Sequence, residues 1–146
     1  MTRDDFLSLV DRGGFVEHAE FGGNLYGTSV AAVHAVAEQE PARRCILDID
    51  AQGVRLIKDK PELHPVYLFI APPSRAELRQ RLEGRGTETQ EAVAKRLAMA
   101  EKELEYAAQP GSWDVLIVNN DLDRAYELFQ KVALGEEVVS DALPAE

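Results

Sequence analysis

Three short apolar runs constrain the fold of this chain more than any other feature. They are CILDID (45–50), VYLFIA (66–71) and VLIV (115–118), and helical patterns separate them. A continuous apolar run of this length is typical of a strand that is covered on both faces. Strands that alternate with helices predict an α/β fold built around a parallel sheet.

Helix signals fill the segments between and around these runs. Thr2, followed by Asp5, caps a predicted first helix, and Ser74 with Glu77 forms a capping-box pattern before SRAELRQRLEG. In contrast, FVEHAEF is only loosely strand-like, and GGNLYGT is predicted to be a loop. The other predicted helices are TSVAAVHAVAEQ, which begins at Thr28 or Ser29, AQGVRLIKDK, a long helix over roughly 88–108, and DLDRAYELFQKVAL.

Composition limits the classes of function that this chain can have. Its 146 residues and 45% hydrophobic content suit one compact domain. A net charge of −10 argues against a protein that binds a nucleic-acid backbone, although a local arginine cluster can still hold a small anion. The single Cys45 excludes an internal disulfide, and the three histidines lack metal-ligand spacing. No apolar run approaches membrane-spanning length, so we expect a cytoplasmic protein.

The carboxyl ends of the predicted strands are rich in polar residues. Asp48 and Asp50 end the first strand, and Asn119 and Asn120 follow the third. Ligands of parallel α/β sheets bind beyond the carboxyl ends of the strands. These carboxylates and amides therefore predict a polar binding mouth at one edge of the sheet.

An arginine cluster surrounds a glycine turn in the segment LEGRGTET. Arg85 lies between two glycines, with Arg81 before it and Arg96 beyond it. Guanidinium groups stay charged and engage phosphate oxygens in pairs, and glycines allow a lid to close and reopen. The alternative is a helix that ends at Gly84, with Arg81 paired to Glu77 at the i,i+4 spacing.

Five collinear stretches resemble guanylate kinases in order and spacing. They are FVEHAEFGGNLYGTSVAAV, CILDIDAQGV, VYLFIAPPS, LEGRGTETQEAVAKRL and VLIVNNDLDRAY, and the resemblance is greatest to the eukaryotic enzymes and extends from Thr2 to about Leu134. It implies an α/β fold, a P-loop nucleoside monophosphate kinase-like parallel sheet flanked by helices. It also implies transfer of the γ-phosphoryl group of ATP, with Mg²⁺, onto GMP to give GDP and ADP in purine nucleotide metabolism.

The resemblance assigns four residues to GMP. Glu17 would face the guanine base, whose N1–H and exocyclic amine suit a carboxylate acceptor and have no equivalent pair in adenine. Thr28 would hold the base through its hydroxyl, Tyr26 would reach the phosphate, and Asp50 would lie at the same pocket. From the residues alone, Glu17 would be an exposed strand residue, Thr28 a helix cap and Tyr26 a packing residue of its loop. Asp48 or Asp50 would cap the helix AQGVRLIKDK.

The resemblance also assigns residues to ATP and to the metal. Asn119 and Asn120 would lie at the adenine, and Arg85 with Gly86 at the phosphates. Many members of the family have Asn-Asp where this chain has Asn119 and Asn120, so a negative charge is lost here. Asp48 lies where an acidic residue ends a strand near Mg²⁺ and would act on the metal indirectly.

The lid arginines would carry the catalysis. Phosphoryl transfer depends on positioning and charge stabilisation more than on covalent work by the protein. By the resemblance, Arg85 and Arg96 form the catalytic pair across the ATP and GMP phosphates, with Arg81 alongside them.

Kinases of this family begin with a strand and a G-x-x-x-x-G-K-[ST] phosphate loop. No lysine of this chain follows a glycine, so we expect an N-terminally truncated and poorly active guanylate kinase in which the first strand and phosphate loop are missing. The partial domain would span 1–134, with a GMP-binding lobe over about 1–40 and a lid over about 81–100. An acidic, disordered tail would follow over 135–146.

Two other interpretations stay open. The chain could be a non-catalytic guanylate kinase-like module that binds a phosphorylated peptide through the same lobe. It could also be an α/β domain that shares only an inherited fold, because fold alone does not fix function. For the kinase, we expect a monomer whose partners are GMP and ATP, with no nucleic acid and no membrane.

Overall fold

The computed structural model describes residues 1–41, 43–60, 63–84 and 89–144, apart from the side chain of Phe21. Within this part of the chain no helix is long and apolar enough to cross a membrane. The chain divides into two compact units, Met1–Pro65 and Val66–Glu146. The first contains α1 (Arg3–Asp11), β1 (Phe15–Phe21), β2 (Asn24–Ser29), α2 (Val30–Ala37) and α3 (Ala51–Lys58). The second contains β3 (Leu68–Ala71), α4 (Arg75–Gly84), α5 (Gln90–Ala107), β4 (Val115–Val118) and α6 (Leu122–Leu134).

The first helix begins at the predicted capping box. The Thr2 hydroxyl accepts from the Asp5 N–H at 3.2 Å, and the Asp5 carboxylate accepts from the Thr2 N–H at 3.4 Å. These contacts satisfy two of the helix's unpaired N-terminal donors. The helix then packs Phe6 against Phe15 of β1, with ring centroids 4.4 Å apart. The cap predicted from the sequence is therefore confirmed.

An antiparallel hairpin replaces the loop that the sequence predicted at GGNLYGT. Strand β2 pairs with β1 from Phe21↔Asn24 back to Phe15↔Ser29. Gly22 and Gly23 connect the strands with φ values of 59° and 81°. A two-residue hairpin turn with positive φ at both positions matches the right-handed twist of its strands, and glycine reaches that conformation without strain. The loop prediction was wrong because Gly22 and Gly23 alone form the turn, and the residues that follow them pair with β1.

The helix after the hairpin begins one residue later than its earliest predicted start. Ser29 is the N-cap of α2, and its Oγ accepts from the Ala32 N–H at 3.1 Å. Thr28 instead belongs to β2. The alternative in which Thr28 is the helix cap is therefore wrong, and its side chain is not committed to that contact.

The predicted strand CILDID is not a strand in the structure. Residues 45–50 pair with no strand in the described part of the chain, and Ile46 is 57% exposed. An extended segment becomes a strand only where a neighbour pairs with its N–H and C=O groups. This segment instead leads into α3, whose N-cap is Asp50.

The second unit contains the predicted parallel pairing. Strand β3 lies parallel to β4, from Leu68↔Val115 to Ala71↔Val118. Ala71 of β3 and Leu116 and Ile117 of β4 have no exposed surface. The parallel pairing predicted for these two runs is confirmed, and β4 is buried at its centre. The prediction that the first run is covered on both faces is wrong, because Val66 and Ile70 are 62% and 50% exposed.

The segment predicted to be the lid, about 81–100, includes the end of α4 and the first part of α5. Ser74 Oγ accepts from the Glu77 N–H at 3.1 Å before α4, and Thr89 caps α5 by accepting from the Ala92 N–H at 3.2 Å. The long helix predicted over 88–108 is confirmed as Gln90–Ala107. Residues 85–88, which include Arg85 and Gly86, lie outside the described residues.

The acidic C-terminal segment contacts β4 at two residues. The Leu116 N–H donates to Ser140 Oγ at 2.8 Å, and the Val118 N–H donates to the Asp141 carboxylate at 2.8 Å. Arg124 donates to both oxygens of Asp141, at 2.6 and 3.0 Å. These hydrogen bonds, first that of Arg124 and then that of Val118, lower the pKa of Asp141. The prediction of a disordered, solvated tail is therefore wrong at Ser140 and Asp141, because main-chain N–H groups of β4 donate hydrogen bonds to both residues.

Candidate active site

Three of the predicted GMP residues lie on one face of the β1–β2 hairpin. Glu17 is the Cα partner of Thr28, and Ala19 is the partner of Tyr26. Side chains two residues apart on a strand share a face, and directly opposed residues on neighbouring strands share it too. The hairpin therefore places Glu17, Thr28 and Tyr26 side by side, with Tyr26 more than half exposed at 54%.

The side chain of Glu17 is buried. The residue is only 7% exposed, and no hydrogen-bond donor among the described residues reaches its carboxylate. Removing an ionised carboxylate from water without a compensating donor is strongly unfavourable. A ligand that supplies the missing donors would stabilise such a group. Because Glu17 is buried, the alternative in which it is an exposed strand residue is wrong.

The Glu17 carboxylate lies against the first turn of α3. A Cβ added at Gly53 would be 3.2 Å from Glu17 Oε2 and 3.2 Å from Ile49 Cβ. A side chain at position 53 would crowd the carboxylate, because Cβ contacts this short are uncommon. Gly53 was not predicted as a site residue, although a glycine in the first turn of a helix was a signal available in the sequence.

Asp50 caps the same helix. Its Oδ1 accepts from the Gln52 N–H at 3.0 Å and the Gly53 N–H at 2.9 Å, and its Oδ2 accepts from Gln52 Nε2 at 3.3 Å. The capping role that the sequence left open for Asp50 is confirmed. Its role at GMP stays a prediction, and the cap places it at the helix turn that Glu17 also contacts through Gly53.

Asp48 is an exposed carboxylate shortly before α3. Within the described residues, no group of three or more His, Cys, Asp or Glu side chains could hold a metal ion by itself. Mg²⁺ in nucleotide sites is usually bound by one or two carboxylates together with substrate phosphates. One accessible carboxylate fits a metal that arrives with its nucleotide.

Arg81 connects α4 to the residues that follow β4. Its Nε donates to Glu77 Oε1 at 2.9 Å, so the i,i+4 pair predicted as the alternative is confirmed. Its Nη1 also donates to the carbonyl oxygen of Asn119 at 3.0 Å. The Asn119 N–H in turn donates to the Ala71 carbonyl at 2.8 Å. The structure therefore brings together Arg81 and the predicted adenine-side residues, Asn119 and Asn120, which no spacing in the sequence indicated.

Of the other site residues predicted in the lid, only Arg96 lies within the described part of the chain. Arg96 lies half-buried in α5. Arg85 and Gly86 fall in the segment that the structure does not describe. The first unit thus assembles the predicted GMP residues, and the second assembles Arg81 with the residues predicted at adenine.

Comparison with known proteins identifies the family that this constellation matches. A family model described as guanylate kinase matches residues 1–135. The guanylate kinase of Sus scrofa is 51% identical over 138 residues, which cover 94% of this chain and 68% of that protein. The guanylate kinase of Homo sapiens is 49% identical over the same shares of the two chains.

A solved structure extends the match to the fold. The crystal structure of guanylate kinase from Anaplasma phagocytophilum superposes with a TM-score of 0.68 at 28% identity, over 95% of this chain and 64% of that one. The likeness confirms the predicted α/β fold of the P-loop kinase type. The chain belongs to the guanylate kinase family.

Proposed function

We propose that this protein binds GMP and serves its ATP-dependent phosphorylation, in which ATP and GMP give ADP and GDP. Membership of the guanylate kinase family supports this reaction, and so does the hairpin face that carries Glu17, Thr28 and Tyr26. The alternative of a module for phosphorylated peptides is not favoured, because the relatives described above are named guanylate kinases.

The buried carboxylate of Glu17 is the observation that carries the proposal. Guanine presents two adjacent donors, N1–H and the exocyclic amine, which fit the two oxygens of one carboxylate. Adenine presents an acceptor at N1, which a carboxylate cannot satisfy. Glu17, with no donor from the described part of the chain, therefore selects guanine over adenine.

The neighbours of Glu17 supply the other contacts to GMP. Thr28 lies directly opposite it, and its hydroxyl is free of the helix cap, which Ser29 provides. Tyr26 is exposed on the same face and presents a phenol for the phosphate. Asp50, whose carboxylate is fixed at the α3 cap, is assigned to the same GMP pocket.

The ATP side of the reaction belongs to the second unit. We assign Asn119 and Asn120 to adenine, Arg85 and Gly86 to the ATP phosphates, and Arg81, Arg85 and Arg96 to stabilisation of the transferred phosphoryl group. Arginines act here by charge and by paired hydrogen bonds to phosphate oxygens. The Glu77 and Asn119 contacts of Arg81 hold its guanidinium at the end of the β4 strand.

A divalent metal is generally required by nucleotide kinases of this family, and we assign Mg²⁺ to this protein. Bound with the nucleotides, Mg²⁺ would supply positive charge to stabilise the phosphates during transfer. Asp48 is the carboxylate that would orient it, as the exposed position of this residue allows. We further propose a cytoplasmic monomer in purine nucleotide metabolism, with no nucleic-acid or membrane partner.

Titration calorimetry with GMP and AMP tests the proposal. GMP affinity tests the proposal most directly, because the residues proposed to bind GMP all lie in the first unit. We expect the wild-type chain to bind GMP in preference to AMP, and Glu17→Gln to weaken GMP binding by about tenfold to a hundredfold through loss of charged hydrogen bonds. Glu20→Gln, the same change at an exposed residue of β1, is the matched control. Equal GMP affinity in the two variants, or equal affinity of the wild-type chain for GMP and AMP, would contradict the proposal.

A further inference from the structure

A bulge in β1 immediately precedes Glu17. Phe15 pairs with Ser29 and Glu17 pairs with Thr28, so β1 contains one extra residue, Val16, relative to β2. A bulge of this kind bends its strand and re-aims the side chains beside it. The direction in which the Glu17 side chain points therefore depends on how the bulge is held.

Lys60 holds this bulge from outside the hairpin. Its ammonium donates to the carbonyl oxygens of Phe15 at 2.6 Å and Val16 at 2.9 Å. An ammonium group has three donors and no acceptor, so it can satisfy both carbonyls at once. Bonds from a charged donor are shorter and stronger than those between neutral groups.

The contact with Val16 acts directly on Glu17. The Val16 carbonyl and the Glu17 N–H belong to the same planar peptide unit. A donor that fixes the Val16 oxygen therefore fixes the orientation of the plane from which the Glu17 Cα and side chain extend. Lys60 is itself anchored, because its N–H donates to the carbonyl of the buried Ile57 at 2.9 Å.

Helix α3 and the residue just beyond it thus approach Glu17 on both its side-chain and its main-chain sides. Gly53, in its first turn, leaves room for the carboxylate, with an added Cβ 3.2 Å from Oε2. Lys60, just beyond its last turn, holds the peptide plane on the main-chain side. A carboxylate confined at both ends can present its two oxygens to a planar base with little reorganisation.

We propose that Lys60 is a positioning residue for Glu17 and that it sets the preference for a purine bearing a 2-amino group. The inference rests on the proposed binding of GMP. Both Glu17 oxygens are needed to accept from N1–H and from the amine, whereas a base without the amine needs only one of them. Misdirection of the carboxylate should therefore remove the second contact first.

The experiment compares GMP with IMP, whose base lacks the 2-amino group, in wild type, Lys60→Met and Lys60→Arg. We expect the wild-type chain to favour GMP by about tenfold or more. Lys60→Met should reduce this ratio to within about threefold, and Lys60→Arg should restore most of it because the charged donor remains. Lys102→Met, at an exposed lysine of α5, is the control and should keep the wild-type ratio. A general structural role would weaken both nucleotides equally and leave the ratio unchanged, which would overturn the inference.

A second measurement needs no nucleotide. The carbonyl ¹³C shifts of Phe15 and Val16 should change in Lys60→Met more than in Lys102→Met, because the ammonium hydrogen bonds are lost. Unchanged shifts overturn the inference whatever the nucleotide data. If the wild-type chain binds neither nucleotide, the proposed function fails, and the shifts alone then decide whether Lys60 holds the bulge. Lys60→Gln, whose shorter amide cannot span both carbonyls, replaces Lys60→Met if that variant does not fold.

Discussion

Glu17 and Thr28 are directly opposed on the two strands of the hairpin. Directly opposed residues of an antiparallel pair have Cβ atoms about 4.5–5.5 Å apart and project from the same face. One of these residues is a buried carboxylate without a donor in the described part of the chain, and the other is a hydroxyl next to a helix cap. Their spacing allows one planar base to contact both side chains.

The hydroxyl of Thr28 is expected to contribute to GMP affinity and little to stability. Thr28→Val keeps the β-branched shape that suits a strand and removes only the hydroxyl. Loss of one neutral hydrogen bond should weaken GMP binding by about threefold to tenfold. Calorimetric titration gives the affinity, and urea unfolding gives the accompanying change in the free energy of unfolding.

The adjacent Ser29 is the matched control, because its substitution is expected to reduce stability and to leave GMP affinity unchanged. Its Oγ accepts from the Ala32 N–H at the start of α2. Ser29→Ala should lower the free energy of unfolding by about 1 kcal/mol, as loss of an N-cap does, with GMP affinity unchanged. The roles of the two residues would be contradicted if Thr28→Val lost stability and Ser29→Ala lost GMP affinity.

Features determined by neighbouring residues were predictable from the sequence. The Thr2–Asp5 box follows from local capping chemistry, and the long helix observed as Gln90–Ala107 follows from helical periodicity. The hairpin was missed although its signal is also local. Gly22–Gly23 between two short segments is the composition that a turn with two positive φ values requires.

Features that depend on distant residues were not predictable. CILDID has the composition of a strand, but strand formation depends on a pairing neighbour that its own composition does not specify. Asp141 was placed in a solvated tail because nothing near it in sequence indicates the contact with Arg124 or Val118. Within the site, the residue types at Glu17 and Thr28 were recognisable, but the Lys60 contact with the bulge spans more than forty residues of sequence.

The contact between Asp141 and Arg124 should make stability depend on acid pH. The Arg124 hydrogen bonds lower the pKa of Asp141 in the folded protein below the unfolded value of about 3.9. When the pKa of a carboxyl group is lower in the folded protein than in the unfolded chain, the ionised group stabilises the fold at any pH above the unfolded pKa. This stabilisation is lost as the pH falls through the folded pKa. Asp141→Asn should therefore lower the free energy of unfolding at pH 7, and its difference from wild type should shrink as the pH falls below the unfolded pKa of about 3.9.

Urea unfolding of wild type and Asp141→Asn across pH 7 to pH 3 measures this difference. Glu137→Gln, a change at an exposed carboxylate of the same segment, is the control and should follow wild type at every pH. The same pH dependence in both variants would show that Asp141 does not contribute through its ion pair with Arg124.

A comparison of two arginines of α4 tests whether Arg81 binds nucleotide or only forms an ion pair on the helix surface. Arg79 and Arg81 each form an i,i+4 pair, with Glu83 and Glu77, and only Arg81 has a described hydrogen bond to Asn119. Exposed pairs of this kind contribute about 0–1 kcal/mol, so alanine at either position should change the free energy of unfolding only modestly. We expect Arg81→Ala to weaken ATP binding by about tenfold or more, because a charged phosphate donor is lost, and Arg79→Ala to leave it unchanged. Titration of ATP into both variants decides the matter. Equal ATP affinity in the two would place Arg81 among the surface ion pairs and remove it from the phosphate site.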